Sequence, residues 1–315
     1  MAADAAHDAS DQALDVPMPR RIADAVEVSV YIAHACLRRE DGQIWCWGGS
    51  SSDRLGNSCE FQRSDDEAIP TPTGVELTAS SVSVGTAHTC ALQDDGVWCW
   101  GGSIEGQLMA IDRIMRCPER LAIERPRSVL AVSGGGCVIS EEGLLSCWGQ
   151  GEHGELGAGA NNEPVVEATP IPLTNVAQVS VSADHGCART SDGVIYCWGS
   201  NEFAQVGEPP GPDEFTPRRV EGLPLATDVV AGHEHSCAIA DGDVWCWGAN
   251  YRGALALGDR SSQSGPVRTL VRGAGTLARH GGSCAIHLDG RVSCWGTSSS
   301  GVLLAGREEV GPVTI

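Results

Sequence analysis

The chain has 315 residues and is 42% hydrophobic, which is enough for one large domain or two ordinary ones. Its 41 Asp and Glu residues exceed 21 Lys and Arg residues, giving a formal net charge of −20. That charge argues against a nucleic-acid partner, because such binding depends on basic groups. No run approaches the roughly 20 apolar residues that cross a bilayer, so we expect no membrane span.

The first 15 residues are rich in Ala and Asp and are predicted to form a disordered linker. They contain no basic n-region and no apolar h-region, so this chain shows no export signal. Residues 16–315 are predicted to form a single domain.

From residue 16 onward the chain repeats itself. Cys-Trp-Gly occurs six times, at intervals of 48 to 53 residues, with its Trp at Trp47, Trp100, Trp148, Trp198, Trp247 and Trp295. Each repeat also contains alternating strand patterns and a Pro-led segment, which together supply about four short strands. The repeats span about 16–69, 70–125, 126–169, 170–215, 216–264 and 265–315.

One sheet of this size cannot bury both of its faces, so the units must stack in a ring. We predict an all-β fold, a β-propeller of six four-stranded blades. Seven blades is the less favoured alternative. The Pro-led segment occurs near both ends of the chain, around Pro17 and around Pro312, which makes seven copies for six hairpins. We therefore expect the ring to close by terminal strand exchange, with one copy completing a blade begun at the other end and the second copy surplus.

Within each repeat, eight or nine residues separate two Cys. The pairs are Cys36/Cys46, Cys90/Cys99, Cys137/Cys147, Cys187/Cys197, Cys237/Cys246 and Cys284/Cys294. If paired Cys face each other across a hairpin, nine residues leave a three-residue loop with Gly third, as in Glu40-Asp41-Gly42. Eight leave a two-residue loop, such as Asp241-Gly242.

This register favours six disulfides. Cys59 and Cys117 suggest a seventh, between repeats 1 and 2. Fourteen Cys in such a pattern are typical of an oxidising compartment, so we expect an extracytoplasmic protein.

Two other states of these Cys stay open. Reduced thiols could pack as small hydrophobic side chains. Metal ligation could use the His that stands two residues before Cys in four repeats, but Gly135 and Gly282 replace it in the other two. We predict neither a metal nor another cofactor.

The repeat resembles that of the regulator of chromosome condensation family. The resemblance is clearest at Gly232–Ile239 with Trp247–Asn250 and spans residues 16–315. It implies a propeller fold, and the Cys-rich version resembles bacterial extracytoplasmic forms. Family members include GTPase exchange factors, a plant UV-B photoreceptor and a secreted β-lactamase inhibitor. The photoreceptor's Gly-Trp-Arg-His-Thr signature is absent here.

No nucleophile motif, phosphate-binding loop or carboxylate pair stands out, so we predict a non-enzymatic module that binds or inhibits a protein or peptide. The alternatives are a small-GTPase exchange factor, or an enzyme with a site at the pore mouth. We expect a monomer.

The ligand is expected on the irregular loops, on the face opposite the Asp-Gly turns, around the loops of the first two repeats and the pore mouth. The candidate binding residues are Phe61, Asp65, Asp66, Glu67, Phe203, Phe215, Tyr251, His233, Glu234 and His235.

Overall fold

The computed structural model describes residues 24–57, 59, 67–73, 77–94, 96–159, 164–278, 284–296 and 309–314. These residues form six antiparallel four-stranded sheets, which we call blades 1–6 in chain order. The blades are arranged around a ring, as predicted. A single turn of 3-10 helix, Ser51–Asp53, is inserted in blade 1.

Each blade takes four consecutive strands. Blades 1 and 2 contain β1 Ala25–Val30, β2 His34–Arg39, β3 Ile44–Gly48, β4 Glu67–Pro72, β5 Ser81–Val84, β6 His88–Gln93, β7 Gly96–Ser103 and β8 Arg113–Arg120. Blades 3 and 4 contain β9 Pro126–Ala131, β10 Gly135–Ser140, β11 Leu145–Gly149, β12 Val165–Pro170, β13 Val176–Val181, β14 His185–Thr190, β15 Ile195–Gly199 and β16 Glu214–Arg219. Blades 5 and 6 contain β17 Ala226–Ala231, β18 His235–Ala240, β19 Asp243–Gly248, β20 Gln263–Arg272, β21 Ala274–Leu277, β22 Cys284–His287, β23 Val292–Gly296 and β24 Glu309–Thr314.

Closure by terminal strand exchange is wrong for these sheets. The Pro-led segment at the C-terminus is β24, and it pairs with β23 of its own blade. Every Pro-led segment that the structure describes is likewise the fourth and outermost strand of its blade, and the other three strands of that blade precede it in the chain. The segment around Pro17 lies outside the described residues.

The hairpin register is confirmed. Each Cys of a repeat lies directly opposite its partner, for example Cys187 opposite Cys197. The turn after β2 is a three-residue loop closed by a hydrogen bond from Arg39 N–H to the Gln43 carbonyl. Gly42 in that loop has φ +85°, a conformation that disfavours other residues. Asp241 and Gly242 form the two-residue turn, both with positive φ.

All 14 cysteines are paired in seven disulfides. Six of these disulfides join the second and third strands of one blade, as the hairpin register predicts. The six are Cys36 with Cys46, Cys90 with Cys99, Cys137 with Cys147, Cys187 with Cys197, Cys237 with Cys246 and Cys284 with Cys294. The seventh joins Cys59 to Cys117 and links the long loop of blade 1 to the outer strand of blade 2.

The disulfides within blades belong to the scaffold. Cys46, Cys99 and Cys147, on the third strands of blades 1–3, are all 0% exposed. They therefore staple the hairpins from inside the blades and offer no surface to a ligand. No helix in the described part of the chain is long and apolar enough to cross a membrane.

Neighbouring blades are held together by one repeated joint. The buried indole of the Cys-Trp-Gly motif donates a hydrogen bond to a loop carbonyl of the preceding blade, as Trp198 does to Glu155 at 2.7 Å. The residue after that carbonyl is a buried aliphatic side chain, such as Leu156. The same bond is made by Trp100 to Arg54, Trp148 to Gln107, Trp247 to Gln205 and Trp295 to Ala254.

Two of the recurring His side chains contact a hydroxyl group of the next blade. His34 Nε2 lies 2.8 Å from the Thr89 hydroxyl of the next blade, and His185 Nε2 lies 2.9 Å from the Ser236 hydroxyl. The Thr89 hydroxyl in turn donates to the Arg54 carbonyl. These His side chains therefore fasten adjacent blades.

Candidate functional site

One face of the disc is built from two kinds of segment, and we call it the loop face. The turns between the first and second strands of each blade lie here, together with the loops that follow Trp-Gly. Backbone hydrogen bonds join them, for example from Ser200 N–H to the Asp184 carbonyl and from Ala249 N–H to the Glu234 carbonyl. The hairpin turns lie on the opposite face. This arrangement puts the irregular loops that the structure describes on a single surface.

A cavity of about 310 Å³ opens on the loop face between blades 2, 3 and 4. We call it the acidic cavity. Its lining contains four carboxylates and no Lys or Arg. The lining residues are Glu105, Ser133, Gly134, Gln150, Glu152, His153, Glu155, Ala183 and Asp184.

Hydrogen bonds hold the carboxylates of the acidic cavity in place. Gln107 donates to Glu105 and Gln150 donates to Glu152, at 3.1 and 2.8 Å. Glu155 accepts from the backbone N–H of His153 at 3.0 Å. Glu105, Glu152 and Glu155 are thus held in place by neutral donors.

Three titratable groups of the cavity have shifted pKa values. Burial raises the pKa of Glu155 above its ordinary value. Burial also opposes ionisation of Asp184, but the hydrogen bond with His185 and nearby His charges outweigh it and lower its pKa. At His153 burial opposes the charged form, yet the bond to Asp213 and three carboxylates raise its pKa. A cation is therefore favoured here.

Beside the cavity, blades 4 and 5 carry a second cluster, which we call the aromatic patch: Phe203, Glu234, Tyr251 and Arg252. The Phe203 and Tyr251 rings lie 6.4 Å apart at 54°. The Tyr251 hydroxyl donates to Glu234, which raises the pKa of the phenol. The Arg252 guanidinium lies 5.4 Å from the Tyr251 ring centre. Tyr251 is 43% exposed, so the patch is open to a partner.

Two of the predicted binding residues are half-buried or buried and support the loop face from below. Phe215 is half-buried and lies against the backbone of Gly154 in the neighbouring loop. His235 is buried, and burial lowers its pKa to about 4. His233, in contrast, is exposed and lies close enough to lower the pKa of Asp184. The structure therefore brings together Phe203, His233, Glu234 and Tyr251 on the loop face, while Phe215 and His235 support that surface from below.

The predicted residues of blade 1 are only partly visible. Phe61, Asp65 and Asp66 lie outside the described residues, and Glu67 is described only as the first residue of β4. The disulfide between Cys59 and Cys117, which was expected to hold these loops, is present.

Sequence reasoning missed the acidic cavity. Its members come from three blades, and Asp213 reaches His153 across 60 positions at 3.2 Å. The one available signal was local, the acidic run Glu152-His153-Gly154-Glu155 in the loop after Trp148. Within the described ranges, no three His, Cys, Asp or Glu residues are grouped to hold a metal ion. What the arrangement can do is bind a cationic group.

Comparison with known families agrees with the repeat pattern. Two models of the regulator of chromosome condensation (RCC1) repeat match residues 41–92, 192–239 and 241–274, and residues 79–107 and 176–205. Together they span just over half of the chain. The chain belongs to the RCC1 repeat family.

Its similarity to curated members of the family is modest. It is 28% identical to the ultraviolet-B receptor UVR8 of Arabidopsis thaliana over 243 residues, which are 70% of this chain and 54% of UVR8. It is 26% identical to the human E3 ubiquitin-protein ligase HERC2 over 246 residues, 74% of this chain but 5% of HERC2. The chain thus spans about half of one relative and a small part of the other.

Two solved structures share the fold. Human WBSCR16 superposes with a TM-score of 0.78 at 19% identity, covering 91% of this chain and 80% of that protein. Prp20p of Saccharomyces cerevisiae superposes with a TM-score of 0.68 at 18% identity, covering 78% and 63%. At these identities the likeness shows the propeller fold alone.

Proposed function

We propose that this RCC1-repeat propeller is a non-enzymatic module that binds a basic segment of a protein or peptide through its loop face, outside the cytoplasm. The observation that carries this proposal is the acidic cavity. Four carboxylates surround a space of about 310 Å³ with no Lys or Arg among them. A Lys or Arg side chain entering that space gains charge-assisted hydrogen bonds.

The neighbouring aromatic patch would extend the contact. Tyr251 is 43% exposed beside the half-buried ring of Phe203, and aromatic side chains are enriched at protein interfaces. The blade 1–2 loops, held by the disulfide between Cys59 and Cys117, would form the far side of the same surface, which cuts the cost of ordering them on binding. Seven disulfides support a working place in an oxidising compartment.

The family offers precedent for protein binding by this fold. The structure of Prp20p was described together with its binding properties to Gsp1p and histones. We carry over from this only that an RCC1 propeller can serve as a binding surface, since function does not follow from fold.

The test uses fluorescently labelled peptides of about 12 residues, one rich in Arg and Lys and one acidic peptide of equal length. Binding is measured by fluorescence anisotropy at physiological salt. We expect saturable binding of the basic peptide only. The double variant Glu105→Gln/Glu152→Gln should weaken it at least tenfold, because two of the carboxylates lose their charge.

The matched control is Glu141→Gln/Glu142→Gln, on the hairpin turn of the opposite face, which changes the net charge equally. Its binding should stay within about twofold of the parent chain. Equal weakening by both double variants would show diffuse attraction to an acidic protein and would defeat the proposal. So would the absence of binding to basic peptides.

A further inference from the structure

Four loops of the loop face expose a residue at one structurally equivalent position. In each loop this residue stands three positions before the carbonyl that accepts the indole hydrogen bond from the next blade. In blades 2 to 5 the residues at this position are Ile104, Glu152, Glu202 and Tyr251, and all four are exposed. We call these four residues the loop row, because consecutive blades each place one of them on the loop face.

The loop row has apolar ends and an acidic middle. Ile104 is 70% exposed and Tyr251 is 43% exposed. Between them, Glu152 belongs to the acidic cavity, and Glu202 is the equivalent exposed carboxylate of blade 4. Exposed apolar side chains bordered by polar ones are typical of interaction sites. A matching ligand therefore carries positive charge in its middle and apolar side chains at both ends.

The blade 2 end of the loop row is a group of isoleucines. The Ser103 hydroxyl donates to the Ala110 carbonyl, and Ser103 pairs with Arg113 across the hairpin of β7 and β8. These contacts bring three points of one loop together. The residue that directly follows each of these three points is an exposed isoleucine: Ile104, Ile111 and Ile114. The three isoleucines thus offer a partner more apolar surface than a single side chain, and Glu105 of the acidic cavity follows directly in the chain.

The charges at the blade 5 end differ from those in the middle of the loop row. The Arg252 guanidinium lies 5.4 Å from the Tyr251 ring centre, and the Tyr251 hydroxyl donates to Glu234. One positive and one negative charge thus flank this ring and offset each other. The acidic cavity, in contrast, has four carboxylates and no Lys or Arg in its lining. The basic residues of a ligand therefore belong over blades 3 and 4, and an apolar residue belongs at Tyr251.

A buried donor in the blade 4 loop lacks an acceptor. Gln107 and Gln205 are equivalent residues, and the side-chain oxygen of each accepts the backbone N–H of the residue two positions earlier, at 2.8 and 2.9 Å. That bond fixes the orientation of the amide. Gln107 Nε2 then donates to Glu105, whereas Gln205 Nε2 is buried with no partner among the described residues, because Phe203 replaces Glu105. By equivalence it points toward the place next to Glu202 where blade 2 has a carboxylate. A backbone carbonyl of a bound chain is the kind of acceptor that this place lacks.

We propose that the loop row binds one extended segment of a partner protein, with an apolar residue at Ile104, basic residues over Glu152 and Glu202, and a second apolar residue at Tyr251. This inference rests on the loop-face function proposed above and adds the order and the length of the bound segment. Packed sheets lie roughly 10 Å apart, so the three steps from blade 2 to blade 5 cover roughly 30 Å. An extended chain advances about 3.3 Å per residue, so about nine residues separate the two apolar positions.

Three labelled peptides of about 12 residues test the order of the segment. The first has leucine at its second and eleventh positions, a central group of arginines, and serine elsewhere. The second has serine in place of both leucines. The third has the composition of the first, with the two leucines side by side in the centre and the arginines outside them. Fluorescence anisotropy with the oxidised full chain at physiological salt gives the affinities. We expect the first peptide to bind at least tenfold more tightly than either of the others.

A double variant removes the two apolar ends and keeps every carboxylate. In Ile104→Ser/Tyr251→Ser the affinity for the first peptide should fall to that of the parent chain for the second peptide. Both side chains are exposed, so the urea midpoint of the variant should match that of the parent chain. The control Leu144→Ser/Leu225→Ser removes two exposed leucines beside the hairpin turns of the opposite face. It should keep the full preference for the first peptide.

The three peptides separate failure of this inference from failure of the loop-face function. Equal binding of the first and second peptides would overturn the apolar ends and leave the binding of basic segments in place. Equal binding of the first and third peptides would overturn the order, since apolar contact anywhere in the segment would then suffice. A preference that survives in Ile104→Ser/Tyr251→Ser would show that the leucines bind elsewhere, and would also overturn the proposal. If none of the three peptides binds, the loop-face function fails and this inference fails with it.

Discussion

The joint between blades 3 and 4 and the seam between blades 6 and 1 are made from the same repeat residues in different surroundings. In the first, Trp198 is fully buried and bonded to Glu155. At the seam, the equivalent Trp47 is half-buried and has no such bond among the described residues. A repeat residue is therefore only as stabilising as the neighbour that it meets, since stability in repeat arrays is carried largely by interfaces between units.

The largest expected effect comes from removing the Trp on each side of this comparison. Trp198→Ala should lower the free energy of unfolding by about 3–5 kcal/mol, because a large buried side chain leaves a cavity and an unpaired carbonyl. Trp47→Ala should cost less, about 2–3 kcal/mol, because part of the Trp47 indole is already exposed and no described carbonyl loses a hydrogen bond. Urea unfolding of the oxidised variants measures both. Equal losses would mean that blades 6 and 1 are packed in solution as the other blades are.

The disulfides allow a second comparison between buried and half-buried sites, in which the expected effects are smaller. The bond between Cys187 and Cys197 closes a loop of about ten residues, so Cys187→Ala/Cys197→Ala should cost roughly 2–3 kcal/mol on a chain-entropy estimate. Its sulfurs are buried, whereas Cys284 at the seam and Cys59 on the loop face are half-buried, as is Cys117, the partner of Cys59.

With limited reductant and an alkylating agent, the two disulfides of these half-buried residues should react first. Peptide mapping by mass spectrometry gives the order. Without reductant the folded chain should take up no alkyl group. Early labelling of Cys187, or alkylation without reductant, would contradict the predicted order or the bonded state.

Acid should loosen the formed joints through their buried His residues. Burial lowers the pKa of His88 and of His235 to about 4, and burial together with Arg54 lowers that of His34 to about 3. Because the unfolded chain takes up these protons near pH 6.5, each residue's contribution is complete above that pH and is lost as the pH falls toward 4. Between about pH 7 and about pH 4.5 we expect a loss of about 2 kcal/mol for each fully buried His.

Urea midpoints at several pH values for His88→Gln and the parent chain test this prediction. The variant should have the flatter profile, since it has one fewer buried group to protonate. His153→Gln is the control, because the pKa of His153 is raised and its loss cannot flatten the profile. A slope for His88→Gln as steep as that of the parent would show that His88 is not held neutral in the fold.

Much of the fold was predictable because it depends on short-range pairing. The opposed Cys, the loop length and the position of Gly42 all follow from one hairpin of known register, in which Cys36 faces Cys46. The point in the sequence where one blade ends and the next begins was harder to predict. The Pro-led segments fit equally well at the start of one blade or the end of the previous one, and only the strand pairing of β24 decided between them.

The candidate site was predictable as a face but not as a set of residues. Alternation of connections between the two faces of a disc is topological, so the irregular loops had to share one side. The sequence could not predict which carboxylates come together. Glu105, Glu155 and Asp184 belong to different blades and are brought together by the curvature of the ring.

By itself, then, the sequence determined the repeat, its hairpin register, the six disulfides within blades and the face on which the loops gather. Each of these depends on residues no more than one repeat apart. Only the tertiary structure decided that His153 meets Asp213, that His185 fastens to Ser236, and that Val28 and Val30 are left uncovered by the described blades. Those outcomes depend on how one blade is rotated against the next and on what lies beside it in the ring. No pattern along the chain encodes that rotation.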